Sequence, residues 1–79
     1  MDKYKEMALV VEQIKKAIKK AVENGEGRFE SKKNIYYITF FDGVLRLFKT
    51  DLQKGSVRLY SSEDFFRFYE ICLNHYSYD

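Results

Sequence analysis

Apolar positions along the chain follow more than one spacing. From Asp2 to Glu23, Tyr4, Met7, Val11, Ile14, Ile18 and Ala21 recur at alternating steps of three and four, and Val10, Ala17 and Val22 widen the stripe. That period belongs to an amphipathic helix. Asn24 and Gly25 can end it, because both tolerate the left-handed backbone that satisfies the last carbonyls, and Lys19 and Lys20 suit the negative end of its dipole. The next segment, GEGRFESKK, is polar around Phe29 and reads equally as a loop or a short edge strand.

The stretch NIYYITFFDGVLRLFK, residues 34–49, is dense in β-branched and aromatic residues on both sides of Asp42-Gly43. An Asp-Gly pair supplies the positive dihedrals that a two-residue turn needs, so the segment predicts a β-hairpin. TDLQKG makes a looser turn into a third strand from Ser56 to Tyr60. Beyond it, Phe65, Phe68, Tyr69, Cys72 and Tyr76 share one helical stripe flanked by Phe66 and Leu73, with Ser61 or Ser62 as the cap and Glu63 and Asp64 in the first turn. The four glycines, Gly25, Gly27, Gly43 and Gly55, fall outside the periodic segments and punctuate them. The expected fold is α+β: an N-terminal amphipathic helix, a three- or four-stranded antiparallel β-meander and a C-terminal amphipathic helix, forming a single α-β-β-β-α domain over residues 1–79.

A two-residue turn at Asp42-Gly43 sets Phe41 opposite Val44, Phe40 opposite Leu45, Thr39 opposite Arg46, Ile38 opposite Leu47 and Tyr37 opposite Phe48. One face then holds Ile38, Phe40, Leu45 and Leu47, with Val57 and Leu59 expected to join it as the core. The other holds Tyr37, Thr39, Phe41, Val44, Arg46 and Phe48, with Arg58 and Tyr60 added by the third strand. A bulged three-residue turn at Phe41-Asp42-Gly43 would shift one arm. Both faces are apolar, so either a helix covers each side, or both helices share the aliphatic side and leave the aromatic one open. The shared parity of Arg46 and Arg58, with no carboxylate facing either across the ladder, favours the open face.

Composition narrows the function classes. Hydrophobic residues make up 46% of the 79 residues and aromatics 18%, which excludes a disordered chain. A net charge of +2 is too small to imply nucleic acid by itself. A single cysteine, Cys72, cannot form an internal disulfide, and the absence of a leader or long apolar run points to the cytoplasm and away from membranes.

Catalytic chemistry is thin. His75 follows Cys72 by three residues, which would let both approach one metal, but two ligands do not complete a tetrahedral site and Cys72 fits better as a buried hydrophobe. The loop NGEG follows a helix instead of opening one, so it lacks the amino-terminus that binds phosphate. No enzyme, no metal and no cofactor are expected.

What remains is surface. Tyr37, Phe41, Arg46, Phe48, Arg58 and Tyr60 are the candidate binding residues, since Tyr, Phe and Arg are frequent interface anchors. Lys5, Lys16, Lys19 and Lys20 form a secondary basic face on the first helix, read as solvated. A protein partner is the leading expectation, with nucleic acid held on the aromatic and arginine face as the alternative. A structural homo-oligomer comes third, and a homodimer or a stable hetero-complex is expected because so small a chain carries two apolar sheet faces. In general character the chain resembles the small inhibitors made by phages and mobile elements, anti-CRISPR proteins among them, which implies action by occupying a partner's surface.

Overall fold

The computed structural model describes residues 3–76. Its elements are α1 (Lys3–Asn24), β1 (Glu26–Glu30), β2 (Asn34–Phe41), β3 (Val44–Asp51), β4 (Val57–Ser62) and α2 (Phe65–His75). The four strands pair in sequence order, each antiparallel to the next, so the protein is an α+β meander with a helix before it and a helix after it. The segment around Phe29 is the fourth strand. Phe29 turns inward and stacks on Tyr36 at 4.6 Å between centroids with the rings 3° from parallel. That aromatic cross-strand pair commits an otherwise polar segment to the sheet edge.

Asp42 and Gly43 take φ values of 55° and 75°, and the hairpin closes on them alone. The register from Phe41↔Val44 to Tyr37↔Phe48 is therefore the one the turn chemistry dictates.

Both helices lie on one face of the sheet. α1 packs over β1 and β2, and α2 over β3 and β4. The core is built from Val10, Ile14, Ala17, Ile18 and Ala21 of α1, Phe68 and Cys72 of α2, and Phe29, Tyr36, Ile38, Leu45 and Leu47 of the sheet. Those five strand residues share one side by register, so the hydrophobic driving force has been spent on a single layer of helices.

Gly27 is not punctuation between elements but an interior residue of β1. A Cβ there would lie 2.0 Å from the carbonyl oxygen of Ala17, so its bare backbone is what lets α1 rest on the strand. Ala17 and Ala21 keep the facing helix surface equally shallow. Gly25 ends α1 as expected: at φ 92° its N–H donates to the Ala21 carbonyl at 2.7 Å. The last turn holds no basic residue, so Lys19 and Lys20 sit too early to serve the dipole as expected.

α1 is longer than the strands beneath it. Twenty-two helical residues span roughly 33 Å, against about 27 Å for an eight-residue strand. Tyr4 and Met7, expected in the buried stripe, are 82% and 47% exposed. At the other end, α2 begins later than expected. β4 continues through Ser62, and Asp64 is the N-cap, accepting from the N–H groups of Phe66 and Arg67. Ser62 instead braces the cap, its Oγ accepting from the Asp64 N–H at 3.1 Å.

Candidate functional site: the uncovered face of the sheet

Since no described element packs on the opposite face, the residues there meet solvent. Tyr37, Thr39 and Phe41 of β2 and Val44, Arg46 and Phe48 of β3 occupy it, as the hairpin register requires. Phe41 is 73% exposed and Tyr37 37%, while Val44, Arg46 and Phe48 are half-buried by their neighbours. Tyr37 and Phe48 lie in tilted contact, 6.4 Å between centroids. The apolar density of both strands has a physical reading: one face is core, and the other is aromatic and aliphatic without a cover of its own.

Two of the expected binding residues belong elsewhere. Tyr60 pairs with Leu47 and Arg58 with Lys49, which places both on the helix-bearing side of the sheet. Tyr60 stacks on His75 of α2 at 4.2 Å. In exchange, Val57 and Leu59, expected in the core, pair with Thr50 and Phe48 and stand 58% and 57% exposed on the open face. The cause is the β3–β4 loop. The Gly55 N–H donates to the Asp51 carbonyl at 2.7 Å with Gly55 at φ 72°, and the Asp51 N–H donates to the Ser56 carbonyl at 2.9 Å. That geometry pairs residue 51 with residue 56 and sends every second residue after it opposite to where hydrophobicity alone would put it. The aromatic at position 60 has the partner on α2, so it takes the covered side.

The open face thus has a defined anatomy. Val44, Phe48, Val57 and Leu59 make an apolar centre around Arg46, whose strand neighbours are Thr39 and Ser61. Apart from Arg46, the charge on this face lies along the β1 rim, where Arg28 pairs with Glu30 at 3.2 Å and the Tyr37 hydroxyl donates to Glu26. The Glu26 carboxylate raises the Tyr37 phenol above its ordinary range, through that hydrogen bond first.

Elsewhere, Lys5, Lys16, Lys19 and Lys20 are exposed on the flank of α1 away from the core. A groove of about 550 Å³ between the helices is lined by Ile18, Val22, Phe65, Phe66 and Tyr69. Phe66 is 82% exposed beside it, a feature that the helical stripe did not separate from core packing. Cys72 is fully buried, and desolvation pushes its thiol up to about 12, so it behaves as a small hydrophobe. Among the described residues, no three His, Cys, Asp or Glu side chains gather as metal ligands. No described helix is long and apolar enough to cross a membrane. In comparison with known proteins, no family model, no curated protein and no solved structure matches this chain.

Proposed function

We propose that the protein is a non-enzymatic binding protein that acts by occupying the surface of a protein partner, and that it does so with the uncovered face of its sheet. The observation that carries this is the exposure of Val57 and Leu59 beside half-buried Phe48 on the side of the sheet opposite the packed core. An apolar centre with a charged rim is how protein interfaces are arranged. A rigid platform also loses little conformational freedom on association, so more of the burial energy is retained as affinity. Blocking a partner's own working surface would make the protein an inhibitor, in the manner of the small phage and mobile-element inhibitors it resembles in character.

Placing Arg58 and Tyr60 on the other side weakens the alternative of nucleic acid on this face. A strand-binding sheet needs stacking rings and several cations, whereas here Arg46 is the one cation at the centre and Arg28 is engaged by Glu30. Association of two copies through the same face uses the same residues and is separated by mass.

The test is recovery of a partner from nuclease-treated extract of the native host by the parent chain, by Leu59→Glu and by a Lys16→Ala, Lys19→Ala double variant. One protein recovered by the parent and by the lysine variant but lost with Leu59→Glu supports the proposal. Equal recovery by all three contradicts it. A dimer of the parent in light scattering that Leu59→Glu dissolves would instead make the partner a second copy.

A further inference from the structure

The two edges of the sheet are written differently. β1 and β4 are the outer strands, each paired on one side only. Along an antiparallel ladder, alternate residues aim their backbone groups at the neighbouring strand and away from it. The Asp51 N–H donates to the Ser56 carbonyl, so in the β3–β4 register Arg58, Tyr60 and Ser62 bond inward to β3, and the N–H and C=O groups of Val57, Leu59 and Ser61 point off the sheet. At the other edge the Phe40 N–H donates to the Gly25 carbonyl, and the same alternation turns the backbone of Glu26, Arg28 and Glu30 outward. β1 therefore carries a charged side chain at every outward position, a usual guard against strand addition. β4 carries two exposed aliphatics and a serine there. Among the described residues, no hydrogen bond in a turn, loop or cap engages Val57, Leu59 or Ser61.

We propose that β4 pairs antiparallel with β4 of a second copy about a two-fold axis at Leu59, joining the two sheets into one. The segment KGSVRLYSSED, residues 54–64, is self-complementary about that point. Leu59 meets Leu59, Val57 meets Ser61 of the second copy and Arg58 meets its Tyr60, so every outward N–H and C=O of the three edge residues finds a partner and a cation lies beside an aromatic ring. At the two ends basic Lys54 comes beside acidic Glu63 and Asp64. Lys54 also faces Asp51 in its own turn, so this end contact selects the register while the backbone bonds and the leucine pair hold the strands. Moving the axis by one residue would oppose Arg58 to Arg58 in one direction and Val57 to Glu63 in the other, and like charges directly opposite are destabilising. The contact is isologous, so it closes on itself and leaves no β4 edge open. It uses the edge of the sheet and leaves the uncovered face free, and it stands whether or not a protein partner occupies that face.

The full chain is followed by light scattering and by amide hydrogen exchange as its concentration is raised. The mass should rise from 9.5 kDa to twice that value. The Val57, Leu59 and Ser61 amides should slow in step with the dimer, while those of Glu26, Arg28 and Glu30 exchange freely throughout. Ser61→Pro removes an outward donor and none of the β3–β4 bonds, a place where an edge strand accepts proline, and it should give a folded monomer. Leu59 lies both at the axis and on the uncovered face, so pairing through the face is tested separately with a Phe41→Glu, Val44→Lys double variant, an opposite-charge cross-strand pair away from β4. That variant should dimerise as the parent does. If Ser61→Pro folds poorly, the contrast between the two sets of edge amides in the parent still decides. A parent that stays monomeric up to about 1 mM, a dimer that survives Ser61→Pro but not the face variant, or β4 amides that slow only when a different protein is added would each overturn the proposal. Partner recovery by monomeric Ser61→Pro would still support binding through the uncovered face, so the two proposals fail separately.

Discussion

The two faces of the β2–β3 hairpin are written in nearly the same alphabet and have opposite fates. Ile38, Leu45 and Leu47 are at most 1% exposed beneath the helices, while Phe41 and Leu59, one residue away in phase on the same sheet, are 73% and 57% exposed. Hydrophobicity does not separate them. What does is the placement of α1 and α2 on a single side, helped by the shallow seam of Gly27 against Ala17. Apolar character on a strand therefore records that a residue is to be covered, and leaves open whether its own chain does the covering.

The largest contrast should appear in stability. Leu47→Ala leaves a cavity in a close-packed core and should cost about 2–5 kcal/mol, whereas Leu59→Ala should change the unfolding free energy by no more than about 0.5 kcal/mol. Denaturant titration of the two variants side by side checks this, and comparable losses would break the distinction between the faces. Gly27→Ala tests the seam that puts α1 where it is. The added methyl meets backbone rather than a pliable side chain, so the helix must shift, at about 1–3 kcal/mol. Gly43→Ala, with nothing within 4 Å but a positive φ, separates strain from crowding in the same assay.

A smaller effect is expected where α2 is tied to the sheet. The Tyr36 hydroxyl donates to the His75 carbonyl at 2.8 Å, and Tyr36→Phe should lose about 1 kcal/mol in the same denaturant titration. The smallest concerns pH. Desolvation first, then the nearby Lys49 and Arg58 charges, hold the His75 imidazole below its ordinary value of 6.5. The unfolded chain therefore binds this proton more readily, and stability present above 6.5 is lost as pH falls from there through the folded value. Thermal melts of the parent and His75→Gln across that window should converge at low pH and part above it, the variant having the flatter profile.

Much of the fold is legible in the sequence because local chemistry dictates it. Asp42-Gly43 admits a tight primed turn, which sets the hairpin register and with it the positions of Tyr37, Phe41, Arg46 and Phe48. The helices announce themselves by period, although the period alone does not show that Tyr4 and Met7 stay exposed. Arg58 and Tyr60 are misread because their phase is set by hydrogen bonds from Gly55 and Asp51 in a loop whose composition permits several geometries. The aliphatic pair Val57 and Leu59 looks like core for the same reason that it makes a usable binding surface. Lys49 and Arg58 become cross-strand neighbours only once the β3–β4 register is known, so their pairing has no signature in the linear chain.

The central claim is that the described helices leave one face of the sheet uncovered, and the most direct measurement is methyl accessibility to a soluble paramagnetic chelate in dilute, monomeric protein. The Val44, Val57 and Leu59 methyls should broaden strongly while those of Ile38, Leu45 and Leu47 stay sharp, and adding the recovered partner should restore the first group. Methyls of Val57 and Leu59 as well protected in the isolated monomer as those of Leu47 would contradict the account.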